Sequence, residues 1–339
     1  MTVMSEVTVS IVCTNYNKGP WIADAIESFL RQKTDFAYEI IIIDDKSTDE
    51  SPDIIRKYAS EHSDKIRAIF NRKNLGITRT WKKACKETRG KYIARCDGDD
   101  YWIDDYKLQK QVDALKKNRM SKWCNTDFNI INEKGETLQK FGFQNGHMKM
   151  SDSYEDIFAD KGFTMASTWL VDAALMKQVN EKLDDKAVDD TFNIQLDLFH
   201  NTRLTHIPEA TTVYRVCDGS DSRPIDPAAI ESRNKRLVNT QLEYLKKYQD
   251  IDHIKVIKKL LSLSEINDNR LALINRQRSL IEAQEGKIED LTNTIAKTIE
   301  DKDKQMASLL SSRAYKVGKT IITPLSAIKK LALRRGEKQ

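Results

Sequence analysis

The sequence predicts an α/β fold with a mostly parallel sheet and helices on both faces, on three observations. Short apolar runs rich in β-branched residues alternate with segments of helical periodicity as far as about residue 115. Polar turn residues bound each apolar run. The 339 residues are 40% hydrophobic and 32% charged, which suits a globular chain. Such alternation is typical of parallel strands joined by crossover helices.

Four strands and three helices are predicted in this first part. The strands are short and almost wholly apolar, as expected for strands buried on both faces. Ser51 followed by Pro52 marks the start of the second helix, as an N-cap with proline at the first helical position. The predicted strands are 7–12, 38–44, 66–70 and 91–96, and the predicted helices are 21–32, 51–60 and 80–88.

The pattern from residue 121 to 223 is less regular, and we interpret it as the second half of the same domain, 1–225. The polar stretch 132–135 is a hairpin signal, and a helix is expected over 189–200. Two further strands are expected over 204–207 and 211–216. A helical extension, 226–263, would follow, with helices over 228–248 and 253–263.

Segment 264–312 carries a heptad-like repeat, which predicts a coiled coil and, through it, a homo-oligomer. A lone helix that packs one stripe on the domain is the alternative. Polar residues at Gln277, Gln284, Thr298 and Lys302 make the seam imperfect. The apolar positions of the repeat are Ile274, Ile281, Ile288, Leu291 and Ile295.

The last segment, 313–339, is strongly basic, with eight Lys or Arg residues against the single acid Glu337. Its net charge of +7 exceeds the +5 of the whole chain, so the remainder carries −2. Its apolar residues recur at helical spacing, although Pro324 interrupts the pattern. These features predict a basic amphipathic segment on an anionic membrane surface. A disordered solubilising tail is the alternative.

Five scattered cysteines without a CxxC pair or a Cys/His cluster indicate a reducing compartment and argue against structural zinc. Residues 1–12 lack a basic segment followed by an apolar core, so no secretory signal is expected. No run approaches the roughly 18 apolar residues of a spanning helix. We therefore expect a cytoplasmic protein, peripheral on the inner face of the cell membrane.

The acidic cluster Asp97-Gly98-Asp99-Asp100 follows the fourth predicted strand. Carboxylates this close repel one another unless a cation lies between them. Hard oxygen ligands suit Mg²⁺ or Mn²⁺ held jointly with substrate phosphates. A solvated acidic turn is the alternative, because Asp and Gly are common turn residues.

Polar loops follow the other three strands as well, and in parallel sheets ligands bind beyond the carboxyl ends of the strands. Together the loops resemble those of a family 2 glycosyltransferase of the GT-A fold. In this family, a Tyr-Asn pair follows the first strand, Asp-Asp-x-Ser-x-Asp the second, and Asn-x-Gly precedes a DxD motif. The likeness covers about residues 7–222. The matching residues are Tyr16 and Asn17; Asp44, Asp45, Ser47 and Asp49; Asn74 and Gly76; Asp97 and Asp99.

The resemblance implies a GT-A (Rossmann-like) domain that uses a nucleotide-diphospho-sugar, with a pyrimidine base as in UDP- or dTDP-sugars. It implies that Asp45 accepts a hydrogen bond from the base, with Thr14 and Tyr16 packed around it. Asp97 would lie near the ribose and the metal, and Asp99 would bind Mg²⁺ or Mn²⁺. Arg79 would add positive charge near the diphosphate, or would be a solvated helix residue.

The resemblance further implies an inverting transfer to a hydroxyl of a glycan or lipid-linked acceptor, in cell-surface polysaccharide biosynthesis. Such a transfer needs one general base. Asp190 is the first candidate and Asp189 the second, although both could simply be acids at a helix N-terminus. The sugar or acceptor pocket is assigned to Tyr214 and Arg215, which resemble the family's strand-end Tyr-Arg pair, and to Trp102. Trp102 adjoins the acidic cluster, and the alternative is that it fills the core.

Other classes of protein fit less well. A dinucleotide-binding oxidoreductase would need G-x-G-x-x-G after the first strand, where Gly19 is the only glycine. A phosphorylated receiver domain would need an aspartate where the chain has Asn71 and Arg72. No nucleic-acid partner is expected. An inactive GT-A-like coiled-coil scaffold that binds nucleotide or glycan partners remains the alternative function.

Overall fold

The computed structural model describes residues 6–185, 187, 190–217, 225–313, 316 and 317. The chain divides into two compact units, Met1–Leu263 and Ser264–Gln339. The strands of the first unit are β1 (Val7–Asn15), β2 (Ala37–Asp44), β3 (Ile66–Phe70), β4 (Tyr92–Arg95), β5 (Tyr101–Trp102), β6 (Ser121–Asn132), β7 (Thr137–Gln139), β8 (Leu170–Asp172) and β9 (Arg203–Val216). Its helices are α1 (Gly19–Leu30), α2 (Ser51–Glu61), α3 (Ile77–Lys86), α4 (Lys107–Lys117), α5 (Tyr154–Asp160), α6 (Ala173–Lys182), α7 (Asp190–Asn201) and α8 (Pro227–Lys247). A 3₁₀ turn covers Ala166–Thr168, and α9 (His253–Ser311) runs from the first unit into the second.

The described strands form one mixed sheet in the order β3-β2-β1-β4-β8-β6-β9-β5, with β7 paired to β6. Strands β1 to β4 are mutually parallel, β8 is antiparallel to β4 and β6, and β9 is parallel to β6. Asn15 lies opposite Asp44, and Asp44 lies opposite Phe70. The loops that follow β1, β2 and β3 therefore leave the same edge of the sheet.

Apolar side chains of β1 point alternately to two cores, as the period of a strand requires. Ile11 belongs to the core that α1 covers with Ile22 and Phe29. Val12 belongs to the opposite core, beside Trp81 of α3. Burial of each such side chain contributes about 1.5–3 kcal/mol. The predicted α/β fold with helices on both faces is confirmed.

The four predicted N-terminal strands and the three helices between them are all present in the structure. The two strands predicted over 204–207 and 211–216 are instead one strand, β9. Thr126 pairs with Ile207 and Asp127 with Ala210, so Pro208 and Glu209 have no partner in β6. Because proline cannot donate to a strand ladder, the interruption in the pattern is a bulge and not the end of a strand.

The helical extension packs on the sheet-bearing part of the first unit. Tyr244 of α8 and Val256 of α9 share an apolar cluster with Phe158 and Phe192. Buried Asp197 of α7 accepts hydrogen bonds from three residues that follow one another closely, the Tyr244 hydroxyl at 2.9 Å, Lys247 Nζ at 2.6 Å and the Tyr248 hydroxyl at 2.5 Å. The helix predicted over 253–263 does not end there but continues to Ser311.

In the second unit, the isoleucines of the predicted seam lie on one uninterrupted helix, α9, and are 55–63% exposed. None of the helices in the described ranges is long and apolar enough to cross a membrane. Of the predicted membrane-binding tail, 313–339, only residues 313, 316 and 317 are described, so that prediction lies outside the described part of the chain.

Lys107 is a fully buried lysine whose charge should destabilise the fold near neutral pH. Its Nζ donates to the Thr168 carbonyl at 3.1 Å and to Gln111, and lies 4.6 Å from the centre of the Trp102 ring. Burial lowers the pKa of Lys107 from 10.5 to about 8. Between these two pKa values the unfolded chain binds a proton that the folded chain lacks, so stability from this group rises with pH.

The Lys107→Met variant isolates this effect. The free energy of unfolding of the wild type, minus that of the variant, should rise by about 2 kcal/mol between about pH 7.5 and pH 10. Urea unfolding of both proteins at the two pH values measures the difference, and titrations that both proteins share cancel. Parallel pH profiles would show that Lys107 keeps an ordinary pKa.

Candidate active site at the carboxyl ends of the parallel strands

The acidic loop, residues 97–100, lies between β4 and β5. Its side chains differ in exposure, with Asp97 28% and Asp99 19% exposed, while Asp100 is buried. A Cβ atom added at Gly98 would lie 2.7 Å from Asn15 Oδ1 and 3.1 Å from Ile22 Cδ1, so a larger residue there would require these side chains to shift. The carboxylates of Asp97 and Asp99 are therefore partly accessible to solvent, whereas that of Asp100 is enclosed by the protein.

Asp100 anchors the loop. Its carboxylate accepts a hydrogen bond from Ser167 Oγ at 2.5 Å and another from the Arg215 amide at 2.9 Å. Burial, with a further contribution from the nearby charge of Asp99, raises the pKa of Asp100 well above its usual range. Ser167 Oγ also accepts a hydrogen bond from the Asp97 amide at 3.3 Å. The 3₁₀ turn and β9 together fix the acidic loop.

Asp97 and Asp99 each contact a cation of this chain. Thr14 Oγ1 donates to Asp97 at 2.8 Å, and Arg95 Nε lies 3.5 Å from the same carboxylate. Lys18 Nζ lies 2.6 Å from Asp99 Oδ2. Burial disfavours the Lys18 ammonium, but Asp99 outweighs it and raises the pKa of Lys18 above its usual value. The site thus keeps its charges paired within the protein.

The two partly exposed carboxylates, Asp97 and Asp99, suit an ion such as Mg²⁺ or Mn²⁺. No group of three or more His, Cys, Asp or Glu side chains in the described ranges could enclose a metal. Mg²⁺ and Mn²⁺ do not need such an enclosure, because they bind one or two carboxylates together with phosphates and water. Asp97 and Asp99 offer hard oxygen donors of this kind in the acidic loop.

The adjoining loop after β2 is held by its own pair of aspartates. Asp44 accepts hydrogen bonds from Asn15 Nδ2 at 2.9 Å and from the Ser47 amide at 3.0 Å. Asp45 accepts from the amides of Leu75 and Gly76, each at 2.9 Å. It also accepts from Asn71 Nδ2 at 2.8 Å. Asp45 therefore ties the loop after β2 to the loop after β3, with capacity for one further donor on Oδ2.

Arg95 and Asp190 form a buried ion pair behind the acidic loop. Arg95 Nη1 lies 2.7 Å from Asp190 Oδ2, and both side chains are 2% exposed. The guanidinium also stacks on Trp81, 4.6 Å from the ring centre. Burial opposes the charge of Arg95, but Asp190 and Asp97 outweigh it and raise its pKa above the usual value. One arginine thus links the acidic loop to the N-terminus of α7.

Two of the three residues predicted to line a sugar or acceptor pocket, Trp102 and Arg215, are buried in the protein. Trp102 is fully buried, stacks edge-on against Phe29 and donates from Nε1 to the Ser167 carbonyl, so it fills the core and offers no surface to a sugar. Arg215 is buried too, and its Nε donates to the Asp99 carbonyl at 3.1 Å, which makes it a clamp on the acidic loop. Tyr214 is partly buried against Phe128.

The remaining predicted site residues lie at the same edge or near it. Tyr16 is 46% exposed at the end of β1. Arg79 is half exposed and lies 3.6 Å from Asp185, without a described contact to Asp97 or Asp99. Asp189 lies outside the described residues. The structure therefore brings together Thr14, Asp97 and Asp99, and connects them to Asp190 through Arg95.

Sequence reasoning missed three residues of this site: Lys18, Arg95 and Ser167. Arg95 could have been noticed as a charge within an otherwise apolar strand, which is expected only where it is paired. Lys18 directly follows the Tyr-Asn pair but belongs to no motif. Ser167 is about 70 residues from the acidic loop in sequence, and no local pattern marks it.

The comparisons with known proteins decide the family. Residues 10–175 match the description "Glycosyl transferase family 2". The N-terminal half of the chain belongs to glycosyltransferase family 2. A putative teichuronic acid biosynthesis glycosyltransferase, TuaG of Bacillus subtilis, is 32% identical over 148 residues, covering 44% of this chain and 56% of TuaG. An uncharacterized protein of Mycobacterium tuberculosis is 38% identical over 133 residues, covering 39% of this chain and 38% of that protein.

Solved structures support the fold. The family 2 domain resembles S. aureus TarS 1-349 in complex with UDP-GlcNAc, with a TM-score of 0.56 and 17% identity, covering 75% of this chain and 70% of that one. At this identity the likeness establishes the GT-A fold alone. The chain spans about two fifths of the length of the Mycobacterium tuberculosis protein and just over half of that of TuaG.

Proposed function

We propose that the chain transfers a sugar from a nucleotide-diphospho-sugar to a hydroxyl of a glycan or lipid-linked acceptor, with inversion, in cell-surface polysaccharide synthesis. The observation that carries the proposal is that Asp45 follows β2, that Asp97 and Asp99 follow β4, and that both strands pair in parallel with β1, so the loops that carry these carboxylates leave the same edge of the sheet. The names of TuaG, for teichuronic acid biosynthesis, and of TarS with UDP-GlcNAc are consistent with this substrate class.

The donor nucleotide would lie along the loops after β1 and β2. Tyr16, 46% exposed at the end of β1, would pack on the base together with Thr14. Asp45 is buried, and its Oδ2 accepts one hydrogen bond, from the Gly76 amide, which leaves capacity for the imide N–H of a pyrimidine base. Asp97 and Asp99 would hold Mg²⁺ or Mn²⁺ beside the diphosphate. When bound, the ion would neutralise the charge that develops on the leaving nucleoside diphosphate.

Nucleotide binding tests this assignment without knowledge of the acceptor. In calorimetric titrations with Mg²⁺, UDP or dTDP should bind at least about tenfold more tightly than ADP or GDP. That ratio corresponds to roughly the worth of one well-placed hydrogen bond to the base. Equal affinity for all four would contradict the pyrimidine assignment, and no binding at all would contradict the donor site.

The acidic pair Asp189 and Asp190 would supply the general base for the acceptor hydroxyl. In the structure Asp190 is buried and paired with Arg95, so its use as a base requires that the carboxylate become accessible when substrates bind. Asp189 is then the second candidate.

Isosteric variants separate the two candidates. Asp190→Asn should lower kcat by about 100- to 10,000-fold and leave the affinity for the donor nucleotide within about threefold. Asp189→Asn, measured under the same conditions, is the matched comparison, and thermal unfolding checks that both variants fold. A large loss of kcat in Asp189→Asn alone would transfer the role to Asp189.

For the second unit we propose self-association through α9. Isoleucine recurs at seven-residue steps over Ile274, Ile281, Ile288 and Ile295, and apolar residues at this spacing form the seam of a coiled coil. The full chain should sediment as an oligomer, and Ile281→Asp should shift it toward the monomer. Asn293→Asp, off the stripe, is the control. A monomer before any substitution would contradict the proposal.

We also propose that segment 313–339 attaches the protein to the cytoplasmic face of an anionic membrane. Its net charge of +7 and its apolar spacing support this attachment. Cosedimentation with anionic vesicles should be lost when the segment is deleted. Undiminished cosedimentation of the shortened chain would place the membrane contact elsewhere.

A further inference from the structure

Lys18 holds the position on Asp99 that a divalent cation would take. Its Nζ lies 2.6 Å from Asp99 Oδ2, and neither side chain is more than 25% exposed. A separate cation, Arg95, lies near Asp97. The two carboxylates that would hold the metal therefore have different counter-ions. The counter-ion of Asp99 is a lysine, whose long side chain can rotate away from the carboxylate.

Helix α1, which follows Lys18, gives no reason for a lysine at this position. Lys18 is the N-cap of α1 but makes no side-chain capping bond. N-caps favour short side chains that accept hydrogen bonds, and a positive charge at a helix N-terminus opposes the helix dipole. The ion pair with Asp99 offsets the unfavourable interaction between the lysine charge and the helix dipole.

The backbone at Lys18 is held by hydrogen bonds of two successive amides. Its amide donates to Ser51 Oγ at 3.1 Å, and the next amide, of Gly19, donates to Asp49 at 2.8 Å. The ammonium lies 5.7 Å from the centre of the Trp21 ring, and Arg215 lies 5.3 Å from the same ring. The side chain can move while its attachment stays close to Asp99.

We propose that Lys18 is a built-in competitor of the divalent cation, which makes metal binding depend on the nucleotide diphosphate. This inference rests on the proposed donor site. Without nucleotide, a metal ion must displace the ammonium from Asp99 and leave it without a counter-ion. With nucleotide, the diphosphate supplies negative charge for both cations. Metal and nucleotide should therefore bind with positive coupling that depends on Lys18.

Titration with Mn²⁺, followed by the electron paramagnetic resonance signal of the free ion, tests the competition without turnover. Without nucleotide, Lys18→Met should bind Mn²⁺ about 3- to 10-fold more tightly than the wild type, which is the range expected for loss of a partly buried ion pair. Saturating UDP should tighten Mn²⁺ binding in the wild type by a larger factor than in the variant.

Lys33→Met is the matched control, because Lys33 pairs with Asp105 at 3.0 Å and not with Asp99. It should leave both Mn²⁺ affinities unchanged. In the double variant Lys18→Met/Asp99→Asn, the increase in Mn²⁺ affinity should disappear. This result would show that the increase in Lys18→Met depends on the Asp99 carboxylate. Thermal unfolding of each variant confirms that it is folded.

Equal or weaker Mn²⁺ binding by Lys18→Met would overturn the competition, and so would a coupling factor that the substitution does not change. Mn²⁺ binding by Lys18→Met but not by the wild type would support the competition. Failure of both proteins to bind Mn²⁺, with or without UDP, would contradict the metal site and the competition together. UDP affinity measured in the same samples reports on the donor site separately.

Discussion

Replacement of Asp99 by alanine should reduce sugar transfer by at least about 100-fold. The substitution removes one of two partly exposed carboxylates that would hold the metal, and loss of one group that stabilises developing charge costs this much or more. The anchoring of the loop should survive, because Asp100, Ser167 and Arg215 hold it without the Asp99 side chain.

Initial rates at several Mn²⁺ concentrations measure the effect, since a weakened metal site is partly rescued by more metal. Asp105→Ala is the control. Asp105 lies a few residues along the chain, pairs with Arg31 and Lys33 on the surface, and has no part in the proposed site. Near-normal transfer by Asp99→Ala would remove Asp99 from the metal site.

Replacement of Arg95 by methionine should destabilise the first unit by about 3–5 kcal/mol. The change removes the guanidinium that pairs with the buried carboxylate of Asp190, and loss of one partner of a buried ion pair is strongly destabilising. Arg95→Lys should cost less, because it keeps the charge but cannot contact Asp97 and Asp190 with separate nitrogens.

Urea unfolding of the single variants and of Arg95→Met/Asp190→Leu apportions the cost. The double variant should recover most of the lost stability, since an apolar pair of similar volume often replaces a buried ion pair without loss. Arg56→Met, at an exposed pair with Asp53, should change the free energy of unfolding by no more than about 1 kcal/mol. A double variant that is less stable than Arg95→Met would show that the lost stability does not come from breaking the ion pair between Arg95 and Asp190.

Most of the first half of the fold follows from the sequence, because its signals are local. β1 to β4 are apolar runs buried on both faces, and each is followed by a polar loop at the same edge of the sheet. Asp97 and Asp99 could be named as candidates from the acidic cluster at a strand end, and Asp45 from the resemblance to family 2, since the ends of parallel strands fix which loops meet.

The remaining features depend on contacts distant in sequence. Pro208 looks like a strand boundary until pairing with β6 shows a bulge. Trp102 looks like a pocket wall because it adjoins the acidic loop, yet its ring lies on the core side against Phe29. Lys18 and Arg95 acquire roles only when folding brings Asp99 and Asp190 to them.

Release of nucleoside diphosphate from a panel of nucleotide-sugars tests the central claim most directly. The full chain should release the diphosphate from one pyrimidine-nucleotide sugar with Mn²⁺ or Mg²⁺, at a rate that EDTA and Asp99→Ala both suppress. No release of nucleoside diphosphate from any member of the panel, together with no binding of UDP or dTDP in the presence of metal, would contradict the assignment as a nucleotide-sugar transferase.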